Sequence, residues 1–197
     1  MRFFSEIIRF SAVSLVFATG LGIGGAHAFD QKDSFFDTLR AQCGKAFLGR
    51  TKLDTANSPT YRDVDIILHV RDCNDTQIQM PMHVGENHSR TLIITKHDDG
   101  RLQLQHRHTH EDGSPDDLTL YGGFTKKNPK SSRQGDFHVG DYTRKLFIEH
   151  DIQRSLSNVW TISMGDKTAT YELHRPTLDF VIEFDLSKIV TNPPKAW

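Results

Sequence analysis

Apolar and polar residues alternate with a period of two over most of the chain beyond residue 60. This period is typical of strands, in which successive side chains point to opposite faces of a sheet. The alternating segments are residues 64–70, 77–84, 91–97, 101–110, 118–121, 160–164, 169–173 and 178–186. The pattern predicts about eight or nine strands, and it is clearest in the last of these segments.

Two segments show the periodicity of a helix instead. Residues 33–42 place three apolar side chains on one face, and Asp33 or Ser34 is available as the N-cap. A second amphipathic helix is predicted over residues 141–150. Residues 122–137 are rich in polar and basic side chains, and we expect them to form a solvated loop.

Short turn signals separate most of the alternating segments. Asp98-Asp99-Gly100 is a strong hairpin signal. Consecutive hairpins with one apolar face predict a mainly β fold, a single antiparallel meander closed into a lipocalin-like β-barrel with one or two short helices. A two-sheet β-sandwich is the alternative. A barrel of about eight strands is just wide enough to hold one small ligand.

The N-terminal segment has the organisation of a secretory signal peptide. Arg2 and Arg9 lie at its start, a mostly apolar run covers residues 11–26, and Ala26-His27-Ala28 offers a cleavage site. We expect residues 1–28 to be removed and residues 29–197 to form a single β-rich domain, periplasmic or secreted. An uncleaved anchor is the alternative, although the apolar run is shorter than the roughly 20 residues of a spanning helix.

The balance of charges argues against two kinds of partner. The chain has 24 Lys and Arg and 25 Asp and Glu residues, and removing Arg2, Arg9 and Glu6 with the predicted signal peptide leaves 22 and 24. Nucleic acids and anionic membranes attract proteins with an excess of basic residues. We therefore expect no nucleic-acid partner. No second long apolar segment follows the predicted signal peptide, so we expect no membrane insertion after cleavage. The expected partner is a small molecule, and the expected state is a monomer.

Cys43 and Cys73 are the two cysteines of the chain. In an oxidising compartment an even pair most often forms a disulfide bond, and the spacing differs from the C-x-x-C of a redox pair. We predict a structural bridge between Cys43 and Cys73, with two buried thiols or a redox pair as the alternatives.

Three histidines at alternate positions form the most unusual polar stretch. In an extended strand His106, His108 and His110 share a face, about 7 Å apart along the strand. They would continue an apolar row towards the barrel mouth, next to Glu111. Such imidazoles are candidate ligands of zinc or copper if a third ligand comes from another strand, and the alternative is a solvated row at the rim. Other histidines fall on the polar side of their strands: His69, His83 and His174.

The partners of these histidines depend on the hairpin register. A two-residue Asp99-Gly100 turn pairs Thr91 with His108, whereas a three-residue turn pairs Arg90 with His108. Only the second register builds a polar cluster that includes Arg90. The preference of Asp-Gly for two-residue turns favours the first register.

Several strings together resemble an uncharacterised family of secreted or periplasmic bacterial proteins. The strings are His69-Val-Arg-Asp-Cys73, His83-Val-Gly, Ser89-Arg-Thr91, the stretch 106–113, Tyr121-Gly-Gly123, Asn158-Val-Trp160 and Glu183-Phe-Asp-Leu186. The resemblance covers most of the predicted mature chain and implies export and a common fold. It implies no activity and assigns no catalytic residue.

No complete catalytic signature is present, so no catalytic residue is predicted and enzymatic activity stays open. The leading hypothesis is an exported β-barrel protein that binds a small ligand of unknown identity. Its candidate ligand-binding residues are Arg90, His106, His108, His110, Glu111 and Tyr121. The alternative is a metal-binding protein, or a metal-dependent hydrolase, that uses the three histidines to hold zinc or copper. A module that binds another protein would instead carry an exposed apolar patch.

Overall fold

The structure is a computed structural model that describes residues 34–127, 129 and 131–197. The predicted signal peptide, residues 1–28, lies outside the described residues, and so does Asp33. No helix in the described ranges is long and apolar enough to cross a membrane.

The described part of the chain contains eleven strands and two α-helices. The strands are β1 (Ala46–Asp54), β2 (Ile66–His69), β3 (Asp72–Cys73), β4 (Gln77–Val84), β5 (Asn87–Lys96), β6 (Leu102–His108), β7 (Tyr121–Phe124), β8 (Gln134–Val139), β9 (Val159–Met164), β10 (Thr168–Arg175) and β11 (Leu178–Ile189). The helices are α1 (Phe35–Arg40) and α2 (Asp141–Glu149), and 3-10 turns cover Pro59–Tyr61 and Gln153–Ser157.

The strands close into one antiparallel barrel. From β1 the sheet runs through β11, β10, β9, β8, β7, β6, β5 and β4, and β2 closes it by pairing with both β1 and β4. β3 is a short extension that pairs with β4 alone. The predicted lipocalin-like barrel is therefore confirmed, with ten strands in the ring rather than about eight or nine.

Alternate side chains of the strands fill the half of the interior next to α1. The residues of this packed layer include Ile78, Met80, Ile94, Leu102, Leu104 and Phe184. Each is at most 5% exposed, and burying a side chain of this size contributes roughly 1.5–3 kcal/mol to folding. The period-two pattern predicted these strands because this packing requires apolar side chains at alternate positions.

Helix α1 closes one end of the barrel. Ser34 caps it in a capping box with Asp37, and the apolar face predicted from the sequence is buried. The Thr38 hydroxyl donates to the Ser132 carbonyl oxygen at 2.7 Å, and Arg40 forms an ion pair with Asp75 at 2.7 Å. These contacts connect α1 to two separate loops at this end, which leaves the opposite end of the barrel as the place for a cavity.

The prediction of a loop over residues 122–137 is wrong at both ends of the segment, where residues 122–124 belong to β7 and residues 134–137 belong to β8. A Cβ atom at Gly123 would overlap the carbonyl oxygen of His138, so the two backbones approach more closely than a side chain allows. Periodicity does not detect β7 because glycines have no side chains that alternate. The strand predicted over residues 118–121 begins at Tyr121.

The hairpin between β5 and β6 has the register that the sequence did not favour. Arg90 pairs with His108, and the backbone amide of His97 donates to the carbonyl of Arg101 at 2.9 Å. The amide of Gly100 donates to the carbonyl of His97 at 3.0 Å, and Gly100 has a φ of +82°. The hairpin therefore has a three-residue loop, in which a tight turn is followed by a glycine in the left-handed region. An Asp-Gly pair fits this loop as well as it fits a two-residue turn, so the pair does not distinguish the two registers.

The predicted disulfide bond is confirmed. Cys43 follows α1, Cys73 lies in β3, and their Cα atoms are 6.2 Å apart. The bridge therefore attaches the segment that closes the barrel to β3, which pairs with the ring strand β4.

Replacing both Cys43 and Cys73 by serine is expected to lower the free energy of unfolding by about 3–4 kcal/mol, because the bridge closes a loop of about 30 residues in the unfolded chain. Urea denaturation of the mature protein measures the change, and the reduced wild type is the matched control. A loss below about 1 kcal/mol in both would contradict this contribution.

Candidate functional site

A cavity of about 480 Å³ opens at the barrel end opposite α1. Its walls come from the ends of β1, β6, β9, β10 and β11, together with α2 and the Gln153–Ser157 turn. Six aromatic side chains line it, those of Tyr61, Tyr121, Phe147, Trp160, Tyr171 and Phe180. Both the volume and the apolar character are typical of small-molecule sites, which range over roughly 300–1,000 Å³.

His106 is buried beneath the cavity and is bonded at both ring nitrogens. Nδ1 lies 3.1 Å from the carbonyl oxygen of Tyr121, and Nε2 lies 2.8 Å from the hydroxyl of Tyr171. A carbonyl only accepts, so Nδ1 carries the proton and Nε2 accepts from Tyr171. Burial lowers the pKa of His106 to about 3. The ring is therefore neutral and links β6, β7 and β10.

His108 lies on the cavity wall, one step nearer the mouth. Its Nε2 is 3.2 Å from the hydroxyl of Tyr121, whose ring stacks against the rings of both His106 and His108. Burial, with the nearby charge of Arg90, lowers the pKa of His108 to about 4. Burial also raises the pKa of Tyr121. The wall thus offers a neutral imidazole and a protonated phenol to a ligand.

Arg90 points inward beside His108, as the observed register requires. Its guanidinium carbon is 5.8 Å from the ring centroid of Tyr61, and its Nη1 donates to the side-chain oxygen of Asn87 at 2.8 Å. No carboxylate of the described residues forms an ion pair with it. The structure therefore brings together four predicted residues, Arg90, His106, His108 and Tyr121.

Two other predicted residues lie apart from this group. His110 follows the end of β6, its side chain is 56% exposed, and its Nε2 is 3.9 Å from Asp116. Glu111 is exposed as well. The strand ends at His108, so the alternation that aligned the histidines stops before His110.

The described residues offer the metal hypothesis no ligand set. None of their His, Cys, Asp and Glu side chains form a group of three that could hold a metal ion. Both nitrogens of His106 are already bonded to protein atoms. A site for zinc or copper at His106, His108 and His110 stays a prediction that this geometry does not favour.

Arg175 and Asn158 are site residues that the sequence analysis missed. Both line the cavity, and Nη1 of Arg175 donates to the side-chain oxygen of Asn158 at 3.2 Å. Burial lowers the pKa of Arg175, and the like charge of Arg154 lowers it further. Arg175 has the same parity in β10 as Tyr171 and Leu173, a signal by which its inward direction could have been predicted.

The fold and the cavity together define a closed antiparallel β-barrel with an internal site at one end. No family model, curated protein or solved structure was found to match the chain. The similarity to secreted bacterial proteins therefore stays a prediction, and a function has to be argued from the geometry of the cavity.

Proposed function

We propose that this protein is an exported barrel that binds one small, largely apolar molecule in the cavity opposite α1. The observation that carries the proposal is the cavity itself, with its aromatic wall and a few polar groups at its base and mouth. The packed layer next to α1 forms its floor, so a ligand enters from one end only.

The few polar groups of the cavity wall are held in fixed positions from which they can form hydrogen bonds with a ligand. The hydroxyl of Tyr171 donates to His106, which leaves its oxygen lone pairs as acceptors. Tyr121 and His108 form a second polar pair at the wall. A few fixed hydrogen-bonding groups within an apolar wall orient a ligand, while the burial of its apolar surface supplies most of the affinity.

Export is supported by the disulfide bond between Cys43 and Cys73, because such bonds persist in oxidising compartments. It is also supported by the signal peptide predicted over residues 1–28. Detection of the processed chain in the periplasm or the medium of a bacterial host would test this part of the proposal.

Binding can be tested with N-phenyl-1-naphthylamine, a neutral apolar fluorophore. Trp160 and Trp197 are the two tryptophans of the chain, so Trp197→Phe leaves Trp160, on the cavity wall, as the sole donor of energy transfer. We expect the probe to bind with a Kd of about 1–10 µM and to quench Trp160. Absence of binding at about 0.1 mM would overturn the proposal.

Two matched variants locate the bound probe. Leu173→Trp places an indole inside the cavity, and Leu53→Trp places one on a side chain that is 46% exposed and outside the cavity wall. We expect the first variant to weaken binding about tenfold or more, measured by the probe's own fluorescence, and the second to leave it unchanged. Equal affinities in both variants would contradict binding in this cavity.

A further inference from the structure

Two arginines near the cavity mouth have no carboxylate partner among the described residues. Arg175 lines the cavity and Arg90 lies beside it, and neither forms an ion pair with a described carboxylate. Two acids also line the cavity, but backbone amides already bond to both. Asp54 accepts from Ala56 at 3.0 Å and from Ser58 at 2.8 Å, and Asp116 accepts from Leu118 at 2.8 Å.

The guanidinium of Arg175 has one bonded side and one free side. Its Nη1 donates to Asn158 at 3.2 Å and lies 3.5 Å from the hydroxyl of Ser155. Its Nε is buried without any hydrogen-bond partner among the described residues. A buried N–H without a partner is unfavourable, so this atom marks a place where a hydrogen-bond acceptor is missing.

The shape of the free side restricts the acceptor. The Nε–H and the adjacent Nη2–H point in parallel, and their spacing matches the two oxygens of a carboxylate. Asn158 is 5% exposed and holds Nη1, so the free side has a fixed direction before any ligand arrives. A preorganised fork of this kind favours a carboxylate over a neutral hydroxyl group.

The wall below Arg175 is apolar. Leu173 and Tyr171 follow it on the inner face of β10, and Trp160 pairs with Leu173 in the neighbouring strand. A molecule whose carboxylate bonds to Arg175 would therefore place its remaining atoms along aromatic and aliphatic side chains. The burial of those atoms would add to the affinity.

We propose that the cavity selects an amphipathic monocarboxylate, with the carboxylate bound by the free side of Arg175 at the mouth and an apolar body between the aromatic walls. This inference rests on the proposed function, since it requires that the cavity binds a ligand. It adds the class of ligand and the residue that selects it.

Displacement of N-phenyl-1-naphthylamine tests the inference with two competitors of equal chain length, dodecanoate and dodecan-1-ol. We expect dodecanoate to bind about tenfold or more tightly than the alcohol in the wild type, because charge-assisted hydrogen bonds to the half-buried Arg175 add to the same apolar burial. Arg175→Gln should remove this preference, and Arg175→Lys should restore it only in part because an ammonium lacks the planar fork.

Arg154→Gln is the matched control, because it removes the same charge from an exposed residue near Arg175. It should leave the preference intact. The competitor affinities of Arg175→Gln are referred to that variant's own affinity for the probe, and a circular dichroism spectrum like that of the wild type shows that its barrel is folded. The inference would be overturned if the wild type bound the two competitors equally, or if the preference for dodecanoate survived in Arg175→Gln. In either case binding of the probe would still support the proposed function. Failure of the wild type to bind the probe would overturn both.

Discussion

Gly123→Ala is expected to lower the free energy of unfolding by more than about 3 kcal/mol, because the new methyl group overlaps backbone atoms rather than a side chain that can rotate away. The Cβ atom would meet the carbonyl group of His138, and Gly123 pairs with Val139 in the ladder between β7 and β8. Relief requires the two strands to separate. Urea denaturation with an unchanged m-value is the measurement.

The matched control for this prediction is Gly113→Ala. A Cβ atom at Gly113 has no atom within 4 Å, although φ there is +87°, so we expect only the strain of a left-handed alanine, about 1–2 kcal/mol. Because β7 also carries Tyr121, Gly123→Ala should weaken binding of N-phenyl-1-naphthylamine as well. Similar losses of stability in the two variants would mean that β7 and β8 do not approach as closely as the structure shows.

Acid is expected to destabilise the barrel well before its carboxylates titrate. The pKa values of His83, His106 and His108 are lowered to about 4, about 3 and about 4, with burial as the largest cause for each. The unfolded chain binds protons at these residues near pH 6.5, where the folded chain does not. Each therefore contributes stability that is present above pH 6.5 and is lost as the pH falls towards 4. We expect the free energy of unfolding to fall by about 2–4 kcal/mol between pH 6 and pH 5.

His83 provides the sharpest variant for this test. Its side chain is 1% exposed, its ring packs on that of His88 at 4.9 Å, and neither ring nitrogen has a partner among the residues described. His83→Leu therefore removes a titrating group without removing a hydrogen bond. Between pH 6 and pH 5 we expect the free energy of unfolding of this variant to fall by about 1 kcal/mol less than that of the wild type. At pH 8 the two proteins should be equally stable. A pH dependence identical to that of the wild type would show that His83 has the same pKa in the folded and the unfolded chain.

The position of His83 also shows where a local pattern misleads. Its parity in β4 indicates the side of the strand away from the core, so the sequence suggests exposure. In the structure His88 packs against it, and Trp197 in turn packs against His88 and donates its amide to the carbonyl of His88 at 3.2 Å. Parity fixes the face of a strand, but only the rest of the chain decides whether that face is covered.

The candidate site was predictable in part. The shared face of His106 and His108 follows from alternation, and Tyr121 was a candidate ligand-binding residue. The three side chains do lie together at the cavity. Arg90 was predicted to lie beside His108 only in the hairpin register that the sequence did not favour. Arg175 and Asn158 lie far from His108 in sequence and line the same cavity because β9 and β10 reach the same end of the barrel.

The sequence by itself determined the strands whose side chains alternate, the two helices and the disulfide bond, because each depends on periodicity, on capping residues or on a single pair of cysteines. The tertiary structure alone decided the closure through β2, the glycine strand β7, the hairpin register and the free side of Arg175. These features depend on backbone pairing and on contacts between distant segments. Neither the backbone pairing nor these distant contacts can be predicted from the pattern of neighbouring residues in the chain.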